Sequence, residues 1–321
     1  MSLLVGIPSY NQDIETWSLR FKECIKNLET IYSVCPGLEV VVSTQLWTKE
    51  NFDALEPFKD KFRFKFFNSD APLGVDGAKN KILDYFYSTD YDYILMCDDD
   101  VQFLPSYGSL DIIKLLAKKN PDLSADMIRL EDCKQPYKQR VLESKELVEN
   151  NIVLRYGCTW LGMIHILKNL RKYYNLPKDH WCYYYYQNPI IDGKQYKVHD
   201  DMFRKEVMRL YGFKVYGLLG GLFYFNFDAS TVQPDVGYNK KDPEEALRAR
   251  QTVKLRQEGT YEAIKTICFK ENLLDVKKDA SIWSIRSKER LRETKPQVLI
   301  PRETPYTFTE KELKFQPRKE R

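Results

Sequence analysis

The tract YILMCDDDVQF, residues 93–103, passes from an apolar run straight into Asp98, Asp99 and Asp100. Three adjacent carboxylates repel one another, and the repulsion falls sharply when a divalent cation sits among them. In an extended chain residues i and i+2 point the same way, so Asp98 and Asp100 can face one site. Hard cations such as Mn²⁺ or Mg²⁺ take oxygen ligands and keep several waters, so one or two carboxylates suffice. Asp100 is the first candidate for coordination, with Asp98 reaching the ion or a ribose; the plain alternative is a solvated acidic turn. A second acidic pair, Asp200 and Asp201, opens the amphipathic segment DDMFRKEVMRL. A carboxylate in the first turn of a helix is fixed in direction and favoured as its anion by the helix dipole. That suits a general base, which takes a hydroxyl proton during attack. One of the pair is expected to cap the helix and its neighbour to react. His199, just before them, reads as a metal ligand, a hydrogen-bond partner or a surface residue.

The elements around these carboxylates must bring them together. LLVGI (3–7) and LEVVVS (38–43) are continuous apolar runs, the mark of strands covered on both faces. Between them Trp17, Phe21, Cys24, Leu28 and Ile31 fall on one helical stripe, which Pro36 and Gly37 stop. A helix-like stretch at 48–59, a strand at 61–67 and an amphipathic helix at 77–88 lead into YDYILMC. This alternation predicts an α/β fold with a doubly wound, mainly parallel sheet. In such sheets ligands bind off the carboxyl ends of the strands, where the triple aspartate lies. Further on, residues 109–119 read as a helix, and another follows Asp200 or Asp201 as its N-cap, with Phe203, Val207 and Leu210 on its stripe and Gly212 as its stop. FKVYGLLGGLFYFNF reads as one or two strands, and 243–271 as two helices joined at Gly259.

The chain of 321 residues is 43% hydrophobic and 30% charged, enough for a real core, and its net charge of +4 permits an anionic partner without requiring one. No stretch reaches membrane-spanning length, and the start lacks a basic leader, so a transmembrane segment is not expected. Seven scattered cysteines, with no CxxC pair, predict reduced thiols and a cytoplasmic location, a host's cytoplasm if the source is viral.

Four stretches together resemble the glycosyltransferases of the GT-A fold, and in particular their large inverting family. VGIPSYN (5–11) resembles its opening strand and turn, APLGVDGAKNKIL (71–83) its G-x-x-x-A-R-N segment with Lys79 in place of arginine, CDDDV (97–101) its D-x-D signature, and HDDMFRKEVMRLYGFKV (199–215) its E-D helix. The resemblance implies a metal-dependent transferase that uses a nucleotide-sugar donor, uridine diphosphate foremost, with inversion. It implies donor contacts from Pro8, Tyr10, Lys79, Asp98 and Asp99, a metal on Asp100 and Asp98, and Asp201 as the base with Asp200 beside it. The second strand of that family ends in acidic residues that meet uracil; here Ser43, Thr44 or Gln45 must serve instead. It also implies a catalytic domain over 1–226, with a donor half to about 105 and an acceptor half from about 106, and a helical extension with a basic tail over 227–321.

Lys79 otherwise reads as an ordinary exposed lysine, and Trp160 as either an acceptor-stacking ring or a core residue. Lys240 and Lys241, in GYNKKD, read as a lid over the diphosphate or as a solvated turn. The segment 168–189 mixes Lys and Arg with many tyrosines, and the tail from Arg286 carries eleven Lys or Arg against six Glu. Both fit phosphate contacts with base stacking, or else tyrosines packed under a loop and a solvated arm. A nucleic acid is therefore a candidate acceptor, and by analogy with phages that decorate hydroxymethylated bases with sugar the leading guess is such a base in phage DNA, flipped to expose its hydroxyl, with a glycan or small molecule as the alternative. A non-catalytic nucleic-acid-binding protein leaves the acidic clusters unexplained. A nucleotidyltransferase needs a glycine- and arginine-rich loop that GIPSYNQD does not provide. No protein partner is evident.

Overall fold

A computed structural model describes residues 2–10, 24, 26–99, 101–103, 109–119, 121, 123–132, 146–149, 152–156, 164–225 and 243–271. Asp100, Trp160, Lys240, Lys241 and the basic tail lie outside them. The first strands are β1 (Leu3–Tyr10), β2 (Glu39–Gln45), β3 (Arg63–Ser69) and β4 (Tyr93–Met96). They lie in the order β3-β2-β1-β4, every neighbouring pair parallel. Between them run α1 (residues 26–34), α2 (Lys49–Asp53), a 3₁₀ turn (Glu56–Phe58) and α3 (Gly74–Tyr87).

Alternate residues of these strands enter two different cores. Leu4, Val41, Ile94 and Met96 pack on one face with Ile82, Leu83 and Phe86 of α3. Leu3, Val5, Val40, Val42 and Leu95 pack on the other with Leu28 and Ile31 of α1 and with Ile112, Ile113 and Leu116 of α4 (Ser109–Ala117). Both faces are apolar because both are covered, as the continuous runs predict. Burying each such side chain contributes roughly 1.5–3 kcal/mol. Helix α3 sits unusually close to β1: a β-carbon on Gly6 would meet Ile82 Cγ2 at 2.7 Å and Ile94 Cδ1 at 3.0 Å. Glycine there lets α3 settle close against the strand.

The second part of the sheet is mixed. After β5 (Val101–Phe103) and α4 come β6 (Met127–Asp132), β7 (Glu146–Glu149), β8 (Ile152–Tyr156), β9 (His165–Lys168) and, after two short strands β10 (Ile190–Ile191) and β11 (Lys194–Gln195), β12 (Val215–Phe225). β9 lies antiparallel between β4 and β6, and β12 runs parallel to β6 but antiparallel to β5 and β8. Helices α5 (Leu170–Tyr173), α6 (Asp200–Leu210) and α7 (Pro243–Lys270) complete the described chain. Among the described residues no helix is long and apolar enough to cross a membrane.

Residues 243–270 form one helix, not two joined at Gly259. Gly259 lies inside α7 where a β-carbon would overlap the Lys197 carbonyl oxygen. The residue that reads as a break is the point at which another segment touches the helix. Ala263, Ile264, Ile267 and Cys268 of α7 share a core with Phe203, Val207 and Met208 of α6.

Candidate active site

Strand β4 ends at Met96, and the chain emerges at Asp98 and Asp99 on the carboxyl end of the sheet. The two side chains diverge. Asp98 faces α3, with Oδ1 4.0 Å from Lys79 Nζ. Asp99 is buried and accepts a 2.5 Å hydrogen bond from the Ser9 hydroxyl, which in turn accepts one from Trp47 Nε1 at 3.2 Å. Ser9 stands between Pro8, which is buried, and Tyr10, half-buried at the end of β1.

Helix α6 begins one residue earlier than its sequence implies. His199 is the N-cap, without a side-chain capping bond, and Asp200 and Asp201 are the first two helical residues. Neither acid caps the helix because both turn to Lys79: its Nζ lies 3.3 Å from Asp200 Oδ2 and 3.1 Å from Asp201 Oδ1. Lys79 is 2% exposed, which removes the reading of an ordinary surface lysine. Burial works against its charge, but Asp200, Asp201 and Asp98 outweigh that and hold its pKa well above the usual lysine range. The ammonium also lies 4.9 Å from the centre of the Tyr185 ring, and the Arg204 guanidinium lies 4.5 Å from it.

Behind Asp201 lies a polar pair that the sequence reading did not single out. His165 of β9 is fully buried, its Nδ1 2.7 Å from the Tyr185 hydroxyl and 3.7 Å from Asp201 Oδ1. Burial, together with Arg129, Lys79 and Arg204, pushes the His165 pKa well down, so the ring is neutral and meets Asp201 as a dipole.

Asp98 shows what the site still needs. Burial raises its pKa, Lys79 offsets part of this, and Asp201, Asp99 and Asp200 raise it further, to about 6. One ammonium therefore leaves the carboxylates short of positive charge. The donor set is oxygen-rich, with His199, Asp200 and Asp201 offering ligand atoms all within 4.8 Å of one another. Such a set fits a hard divalent cation.

No protein-family model matches the chain, and no curated protein does. Among solved structures it is similar to S. aureus TarS residues 1–349, at 15% identity and a TM-score of 0.46 over 88% of this chain and 78% of that one. It is also similar to the mannosyltransferase PcManGT from Pyrobaculum calidifontis in complex with GDP-Man and Mn²⁺, at 12% identity and 0.45 over 92% and 83%. A third is GalNAc-T7 with UDP, GalNAc and Mn²⁺, at 10% identity and 0.41 over 79% and 48%.

Of the residues expected at the site, the structure brings Asp98, Asp200, Asp201 and Lys79 together and sends Asp99 to the opposite side, against Ser9. Ser43, Thr44 and Gln45 are all buried, so none presents its side chain to solvent. Thr44 donates to Asn68 Oδ1 at 2.7 Å, and Gln45 Oε1 accepts the Leu73 amide at 2.6 Å, tying down the loop before α3. The tyrosines of 168–189 largely pack inside: Tyr174, Tyr183 and Tyr185 belong to the core with Cys182. The basic residues among them cover rings, as Arg171 does over Tyr183 at 4.9 Å.

Proposed function

We propose that the chain is a metal-dependent glycosyltransferase of the GT-A kind, moving a sugar from a nucleotide-sugar donor to an acceptor hydroxyl with inversion. The observation that carries this reading is the convergence of Asp98, from the end of β4, with Asp200 and Asp201, from the start of α6, on one buried lysine. Two acidic segments far apart in sequence meet at the carboxyl end of a doubly wound sheet, where that architecture binds ligands.

In this reading Asp98, with Asp100, holds Mn²⁺ or Mg²⁺, and a cation bound there neutralises the charge that develops on the departing diphosphate. Asp201 is the base. Lys79 fixes its Oδ1, leaving Oδ2 to take the acceptor proton as the hydroxyl oxygen attacks the anomeric carbon. The bond to the diphosphate breaks on the opposite face, and its electron pair leaves with the phosphate oxygen. Asp200 shares the lysine and keeps it centred. Pro8 and Tyr10 end the strand beside the donor, while Trp160 at the acceptor and Lys240 and Lys241 over the diphosphate rest on the sequence alone. A hydroxymethylated DNA base as acceptor rests on the basic tail, since the buried tyrosines no longer supply stacking rings. A glycan or small-molecule hydroxyl meets the same base equally well.

The test is thermal unfolding of the parent chain and of Asp98→Ala with a panel of nucleoside diphosphates and nucleotide sugars, with and without Mn²⁺. A selective, Mn²⁺-dependent rise in Tm in the parent, lost in Asp98→Ala, is expected. No response to any member of the panel, or an identical response in the variant, contradicts the proposal.

A further inference from the structure

The segment that delivers the two aspartates is gripped from outside by α7. Residues 196–199 run between two partners. On one side the Val198 amide donates to Gln187 O at 2.8 Å and the Tyr196 amide to Pro189 O at 2.9 Å. On the other, the Lys197 carbonyl presses on α7 at Gly259, where any β-carbon would overlap it. Two residues on, the His199 amide donates to the Thr260 hydroxyl at 3.0 Å. Thr260 is fully buried, and its own proton goes to Arg256 O at 2.8 Å. A hydroxyl offers one proton and two lone pairs, so this one is directed: it donates along its helix and accepts from the N-cap residue of α6. The Tyr196 and Thr266 hydroxyls, 2.8 Å apart, add a third tie nearly two turns along α7.

We infer that Gly259 and Thr260 are positioning residues for the Asp200–Asp201 pair, and that α7 sets the register of the first turn of α6 against Lys79. This rests on the reading of Asp201 as base. His199 is the N-cap, so a shift of its amide moves both carboxylates with it. Asp98, delivered by β4, stays where it is. Loosening the grip therefore separates the base from the metal side without touching the metal side itself. An error of about 1 Å at a reacting group is enough to cost up to a hundredfold in rate.

The experiment uses the full chain, Mn²⁺ and the nucleotide sugar selected by the thermal screen, with turnover and amide hydrogen exchange measured together. Thr260→Val keeps the shape and removes the acceptor. We expect it to lower kcat about tenfold, within the range a local misplacement produces, to leave the donor KM within twofold, and to speed exchange at residues 199–201 about tenfold as the His199 amide loses its acceptor. Thr260→Ser is expected to restore all three, and Gly259→Ala to lower kcat by forcing Lys197 away. The inference is overturned if either folded variant, Thr260→Val or Gly259→Ala, keeps kcat within twofold of the parent. It is equally overturned if kcat falls without faster exchange at 199–201, or if Thr260→Ser is as impaired as Thr260→Val. Failure of both variants to fold makes α7 a stability element only and also overturns it. Asp201→Asn separates the two levels: parental turnover in that variant sinks the base reading, while the exchange result still decides the grip.

Discussion

The same dipeptide occurs at two places in the molecule and does two different things. Asp98–Asp99 leaves a strand, where successive side chains point to opposite sides, and its members part: one to Lys79, the other to Ser9. Asp200–Asp201 opens a helix, and both members reach a single ammonium. An acidic pair on a strand end divides its work between a ligand-facing and a structural carboxylate. On a helix start it concentrates charge. The proposed reaction uses both, with a cation met from the sheet and a proton taken from the helix.

Four experiments break or sharpen that contrast. The largest effect is expected within the helical pair, where Asp201→Asn should lower kcat by roughly 10²–10⁴-fold, the range for loss of a general base. Asp200→Asn, removing a partner of Lys79 but not the base, should lose far less; equal losses would erase the distinction between them. Next, Lys79→Met deprives the three carboxylates of their buried partner, and breaking such a pair destabilises by about 3–5 kcal/mol. Urea unfolding in chelator measures this, and an unchanged midpoint would show that the lysine does not hold the pairs together.

The strand pair carries the pH dependence. Asp98 has a pKa of about 6 in the folded chain, above the ordinary 3.8. The folded state thus binds this proton more tightly than the unfolded one. Its contribution to metal-free stability is complete below about pH 3.8 and is lost as pH rises through about 6. Cation binding displaces the same proton, so Mn²⁺ affinity should rise about tenfold per pH unit up to about pH 6 and then level off. Calorimetric titrations across that window check it, and Asp98→Asn should flatten the curve. The smallest effect belongs to Asp99: Ser9→Ala removes its 2.5 Å hydrogen bond and should cost about 1–3 kcal/mol of stability with kcat little changed.

What could be read from the sequence follows the same division. β1, β2 and β4 declare themselves because a strand covered on both faces is apolar throughout, and the carboxylates stand out at its end. The burial of Lys79 was also written there: it precedes Ile82, Leu83 and Phe86 at the helical spacings of three, four and seven, on the buried stripe of α3. Arg204 stands likewise on the buried face of α6, three residues before Val207. The start of α6 was misread because Asp caps helices well and His poorly, yet a tertiary ion pair outweighed that local preference. Gly259 was misread because the atom it makes room for, the Lys197 carbonyl, is far away in sequence. His165 gave no signal beyond a lone histidine in an apolar strand, since its meaning comes from Tyr185 and Asp201 across the fold.

The central claim is that Asp98, at the end of β4, holds a divalent cation while Asp200 and Asp201 stay on Lys79. Anomalous diffraction from crystals grown with Mn²⁺ and a nucleoside diphosphate tests it most directly. The account predicts a single manganese peak beside Asp98, on the side facing Lys79 and the first turn of α6. Diphosphate density at the sheet's carboxyl edge without manganese there, or manganese bound only elsewhere, would contradict it.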